Sequence, residues 1–93
     1  MSLQDKVRNN EELSRYELTV ADSTALVTYD MREGKIALTH TEVPGEMSGQ
    51  GVGSALAKGA LDDIRAKGLK VLPICTFIEA YIKRHQEYQD LVG

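Results

Sequence analysis

Ser48-Gly49-Gln50-Gly51-Val52-Gly53-Ser54-Ala55-Leu56 is the stretch on which the reading of this chain turns. Glycines at alternate positions lead into residues that favour a helix. Glycine lets the main chain turn through positive φ and leaves no side chain between backbone and ligand. The helix that follows adds unpaired N–H groups and the positive pole of its dipole. Together they form a cradle for a diphosphate. The competing reading is a turn whose glycines serve helix packing alone. A Walker-type phosphate loop does not fit, because Gly-Lys followed by Ser or Thr is absent. A dinucleotide-binding turn fits no better. Its glycines should follow a first strand, with an acidic residue about 20 positions on, and residues 69–75 hold none.

Upstream, Tyr16-Glu17-Leu18-Thr19-Val20 alternates apolar and polar residues as a half-buried strand does. Ala21-Asp22-Ser23 is a turn signal, and a second strand spans Ala25 to Met31. Arg32-Glu33-Gly34-Lys35 is a hairpin loop, and the third strand runs from Lys35 to Val43, where Pro44 ends it. These strands predict an antiparallel meander, preceded by a short strand near Lys6-Val7-Arg8.

Downstream, Val52, Leu56, Ala60 and Ile64 recur at helical spacing, with Ala57 and Leu61 beside them. Lys58, Asp62, Asp63, Arg65 and Lys67 fall outside that stripe. Gly59 weakens the helix by about 1 kcal/mol relative to alanine, and its bare backbone is expected to allow close packing on the sheet. Gly68 stops the helix. Leu69 to Cys75 then returns as a strand parallel to 35–43, completing a β-α-β unit. Thr76 is expected to cap a second helix with Glu79 as its partner, running to about Arg84. The tail, His85 to Gly93, adds a last turn or a strand through Asp90-Leu91-Val92. The fold class is α+β, in a single domain covering residues 1–93.

Composition excludes several functions. The chain has 93 residues, 42% hydrophobic and 27% charged, which suits one globular domain and not a disordered segment. Its formal net charge of −3 disfavours nucleic acid as a partner. The single cysteine, Cys75, cannot form an internal disulfide and fits a reducing, cytoplasmic setting. His40, Cys75 and His85 lack paired ligand spacing, so no metal site is expected. No apolar run reaches the roughly 18–20 residues that span a membrane, and the polar N-terminus carries no signal-peptide core.

Strand, proline, glycine-rich loop and helix in this order resemble motif A of the GNAT N-acetyltransferases. The likeness sharpens at Thr39-His40-Thr41-Glu42-Val43-Pro44, at Gly49-Gln50-Gly51-Val52-Gly53, at Leu72-Pro73-Ile74-Cys75, and at Tyr81 with His85-Gln86-Glu87-Tyr88. This set resembles a subfamily of very small GNAT-like proteins of about 10 kDa. The resemblance implies an acetyl-CoA (coenzyme A) site. Val43 would offer backbone hydrogen bonds to the pantetheine arm. N–H groups of Ser48, Gly49, Gln50, Gly51, Val52, Gly53 and Ser54 would hold the pyrophosphate. The parallel strands at 35–43 and 69–75 would splay to admit the thioester.

It also implies catalytic roles. Glu42 would be the general base, with His40 on the same strand face by period two as base or relay. Tyr81 would protonate the leaving thiolate, and Cys75 could carry the acyl group transiently. Each has a plainer reading: Glu42 as a solvated strand-end carboxylate, His40 as a packed histidine, Cys75 as a buried thiol, Tyr81 as a packing anchor. Lys83, Arg84 and His85 either complement the helix dipole or meet the coenzyme's 3′-phosphate. The chain departs from the family pattern at Ser48, where Arg or Gln is usual, and at Ile74, where Asn is common. It also lacks room for the strand and two helices that usually precede the meander and help wall the acceptor site. The expected function is acetyl-CoA binding with acetyl transfer to an amine. The alternatives are a non-catalytic acetyl-CoA sensor that serves a partner protein, and a protein acylated on Cys75.

Overall fold

The structure is a computed structural model that describes residues 3–47, 49 and 51–93. The expected contacts of Ser48 and Gln50 lie outside the described residues. The elements run β1 (Arg8–Asn10), β2 (Arg15–Val20), β3 (Ser23–Arg32), β4 (Lys35–Glu42), α1 (Val52–Ala66), β5 (Lys70–Pro73) and α2 (Thr76–Arg84). Short 3-10 segments cover Leu3–Lys6, Gly45–Met47 and Gln86–Leu91. One sheet holds the strands in the order β1-β2-β3-β4-β5, antiparallel from β1 to β4, with β5 parallel to β4. The α+β fold is thus the expected meander followed by a β-α-β unit and a C-terminal helix.

The helices pack on one sheet face. Register places Tyr16 opposite Val27, Leu18 opposite Ala25, Tyr29 opposite Leu38 and Ile36 opposite Val71. All eight are buried, and they join α1 residues Val52, Leu56, Ala57, Ala60, Leu61 and Ile64 in one core. The predicted stripe of α1 is therefore its buried face. Ile78, Tyr81 and Ile82 extend the core from α2. Gly68, at φ +72, ends α1: its N–H donates to the Arg65 carbonyl and that of Leu69 to the Ile64 carbonyl. This is the paired C-terminal closure that a left-handed glycine permits.

Three local expectations change. First, residues 3–6 form a 3-10 turn and the first strand begins only at Arg8. Second, Gly59 meets this N-terminal segment and not the sheet. A Cβ at Gly59 would lie 2.5 Å from Val7 Cγ2 and 3.0 Å from the Gln4 carbonyl oxygen. Helix propensity alone would make Gly59→Ala stabilising by about 1 kcal/mol. The contact reverses the sign. Gly59→Ala is expected to lower the melting temperature and to speed amide exchange in residues 3–8; a melting temperature above wild type would contradict the packing described. Third, Thr76 is the first residue inside α2, while Cys75 is its N-cap and makes no side-chain cap. The β4–β5 ladder draws Cys75 into the cap position, because its N–H donates to the Leu38 carbonyl at 2.8 Å.

The opposite sheet face is polar. Arg15, Thr28 and His40 lie in one cross-strand row, and Glu17, Leu26 and Glu42 in the next. Asp30, His40 and Glu42 are exposed. Glu17 is buried there and accepts hydrogen bonds from Arg15 Nε at 2.6 Å and Asn10 Nδ2 at 3.1 Å. The Arg15 bond, together with that of Asn10 and the nearby positive charges, outweighs desolvation and holds the carboxyl below its usual range. A depressed carboxyl contributes stability above its unfolded pKa and loses it as pH falls through the folded value. Glu17→Gln should therefore destabilise at pH 7, with the gap to wild type closing toward about pH 3, as read by denaturant titrations at both pH values.

Both sheet margins are short or covered. β1 has only three residues. On the far side Val92 bridges Val71, and the Gly93 N–H donates to the Val71 carbonyl at 3.1 Å.

Candidate functional site

β4 and β5 pair over four rungs, from Lys35 with Lys70 to Leu38 with Pro73. Beyond the bond from Cys75 to Leu38 they part, and β4 continues to Glu42 paired only with β3. A bulge lies at the same point. Thr28 faces His40 and Tyr29 faces Leu38, so Thr39 is an extra residue in β4. An inserted residue bends its strand and resets which face later side chains occupy. Ile36 and Leu38 point to the helices. Counting in twos would send His40 the same way, and the bulge turns His40 and Glu42 to the open face instead.

The glycine-rich loop leads from this end of β4 to the start of α1. Gly49 and Gly51 have φ of +77 and +73. Gly51 is the N-cap of α1 and has no side chain to cap it, and the first helical bond runs from the Ala55 N–H to the Gly51 carbonyl at 3.0 Å. The N–H groups of Val52, Gly53 and Ser54 precede that bond and have no partner inside the helix. A Cβ at Gly49 or Gly51 would meet nothing within 4 Å, whereas at Gly53 it would lie 2.9 Å from the Phe77 ring. Space is thus open beyond Gly49 and Gly51, while the first turn of α1 is tightly apposed to α2 at Gly53.

The catalytic candidates fall into three groups. His40 Nε2 lies 3.2 Å from Glu42 Oε2, both exposed, so the expected shared face is observed. Cys75 is buried, with its Sγ 3.1 Å from Thr41 Oγ1. This thiol–hydroxyl contact spans the two strands where they diverge. Tyr81 is six residues into α2, about 9 Å along its axis from Cys75. Its ring stacks on His85 at 3.9 Å and tilts toward Tyr88. Burial raises the Tyr81 phenol, so it keeps its proton at neutral pH. His85 Nδ1 lies 2.8 Å from the Tyr81 carbonyl oxygen, which fixes that ring as a local cap of α2. Val43 is half-buried just past β4.

Thr41 and Phe77 enter the site although no sequence signal singled them out. Thr41 needs the β4–β5 register to meet Cys75, and Phe77 reads by helical spacing as core. Among the described residues no cluster of His, Cys, Asp and Glu could hold a metal ion. No helix among them is long and apolar enough to cross a membrane.

Comparison with known proteins gives this geometry a family. Residues 15–91 match the family model described as GCN5-related N-acetyl-transferase. The chain belongs to that family. Its acetyltransferase-type fold is also found in the NMR solution structure of a GCN5-like candidate N-acetyltransferase from Staphylococcus aureus. That structure aligns with a TM-score of 0.73 and 27% identity over 100% of this chain and 91% of the other. No curated protein matches the chain.

The loop suits the family's cosubstrate on structural grounds. First-turn amides with no partner inside the helix suit an anion, open space lies beyond Gly49 and Gly51, and β4 has a margin without a β5 partner past Leu38.

Proposed function

We propose that the chain binds acetyl-CoA across the parting of β4 and β5 and transfers the acetyl group to an amine. One observation carries this reading: the strands separate after Leu38 and Pro73, and the chain beyond β4 leads into a helix start whose first amides have no partner inside the helix. Acetyl-CoA supplies an acyl carbonyl activated by a thiolate leaving group. The N–H groups of residues 48–54 hold the pyrophosphate, and backbone groups near Val43 orient the pantetheine arm along the free margin of β4. A lysine-like amine is protonated at neutral pH and must lose a proton to become a nucleophile. Glu42 and His40 stand on the open face to accept it. Tyr81, protonated at neutral pH, is the proposed donor to the leaving sulfur. Most of the rate comes from holding amine and thioester together.

The decisive test is calorimetric titration with acetyl-CoA followed by coenzyme A release across a panel of amines and lysine peptides. Binding with turnover supports the reading. Tight binding with no turnover on any acceptor leaves a binding module that serves a partner protein. Absence of binding at millimolar ligand removes both.

The Thr41–Cys75 contact favours a second reading, in which the Cys75 thiolate attacks the thioester. The new sulfur–carbon bond replaces the old one, and the thiol proton leaves with coenzyme A. Intact mass after incubation with acetyl-CoA should then rise by one acetyl group, and Cys75→Ser should abolish the gain. The same adduct on Cys75→Ser would exclude Cys75 as the acceptor.

A further inference from the structure

A hollow of about 200 Å³ lies at the other end of α1, between the ends of β2 and β3, the start of β4 and the helix C-terminus. The 15 residues of α1 separate it from the glycine-rich loop by about 22 Å. Its apolar wall is made of the rings of Tyr16 and Tyr29, with centroids 5.5 Å apart and planes tilted by 50°, together with Met31, Ile36 and Leu69; Asn9, Glu11, Ser14 and Lys67 complete the lining.

Hydrogen-bond accounting sets the sign of what it can hold. Tyr16 Oη donates its proton to Asp63 Oδ2 at 2.7 Å, and Tyr29 Oη donates to Asn9 Oδ1 at 2.6 Å. With both protons committed, the phenol oxygens can only accept from a ligand. Lys67 Nζ is held by Asp63 Oδ2 at 2.8 Å. Glu11 lines the rim, and among the described residues its carboxylate has no hydrogen bond or ion pair. Glu11 and Lys67 line the hollow with opposite charges, and Asp63, bonded to Tyr16 and Lys67, leaves the group one net negative; the negative pole of α1 points the same way. Aromatic ring faces also attract cations.

We propose that this hollow binds a small organic ammonium ion, with the nitrogen between Glu11 and the phenol oxygens and an apolar body against Met31, Ile36 and Leu69. Its volume equals roughly six or seven waters, which limits the ligand to a small amine. The site is separate from the acetyl-transfer cleft and does not depend on that activity.

The test is a nitrogen–proton NMR titration of the full chain with phenethylammonium, alongside neutral 2-phenylethanol and anionic phenylacetate. The expected result is saturable shifts at the amides of Ser14, Tyr29, Lys67 and Leu69 with the ammonium, and weaker ones with both analogues. Glu11→Gln, an exposed substitution, should weaken ammonium binding about threefold to fivefold, the range set by a solvated ion pair. Equal binding of the neutral analogue together with no effect of Glu11→Gln would overturn the proposal. So would an absence of shifts, or shifts confined to residues around His40 and Glu42.

Discussion

Gly51→Asp is expected to weaken acetyl-CoA binding by about 100-fold or more, equivalent to about 2.7 kcal/mol, while the protein stays folded. Gly51 sits at φ +73, ψ 13, in the left-handed region. Aspartate is among the residues that tolerate this region best. Its cost there is about 1–2 kcal/mol, offset by about 0.3–1 kcal/mol from a negative charge at a helix N-terminus. The new side chain has open space, because a Cβ at this position meets nothing within 4 Å. Helix and ligand therefore respond with opposite sign. The helix tolerates the carboxylate, while a pyrophosphate is repelled by it and finds the same amides occupied. Calorimetry and a thermal melt on one sample separate the two effects. Unchanged affinity in a folded variant would mean that the glycines serve the turn and not a phosphate.

The largest loss of stability is expected from Leu38→Ala. Leu38 is fully buried on the last rung shared by β4 and β5. Truncation removes its transfer free energy and leaves a cavity in the core, at a cost of about 2–5 kcal/mol. Total stability for a domain of this size is about 5–15 kcal/mol. At about 4–8 °C per kcal/mol, the melting temperature should fall by roughly 8–40 °C. Leu26→Ala, on the half-buried opposite face, is the matched control and should cost far less. If the two variants melted together, the assignment of inner and outer faces would be wrong.

The sequence carried the architecture because its signals were local. Alternation marked Tyr16–Val20, helical spacing marked Val52–Ile64, and Gly34 and Gly68 marked the turns. The site was legible as a loop and as a His40–Glu42 pair, since period two needs no tertiary information. What escaped depends on register. Thr39-His40-Thr41 alternates no differently from the strand around it, so the bulge that turns His40 outward leaves no trace in composition. The Thr41–Cys75 contact requires knowing that Leu38 pairs with Pro73. Thr76 has the chemistry of a cap, but the hydrogen bond from Cys75 to Leu38 fixes the helix start one residue earlier. Gly59 announced a close approach, but the partner expected for it was the sheet, and the one it meets is the N-terminal segment around Val7.

The blunted sheet margins also bear on how the protein behaves when concentrated. An open β-edge is a template on which identical chains can stack into fibrils. Here the outer side of β5 is already engaged by Val92 and Gly93, and the three-residue β1 offers too little backbone for a lasting partner strand. Removing the last two residues would uncover one such edge, and slow gelation or fibre growth would be the symptom to look for.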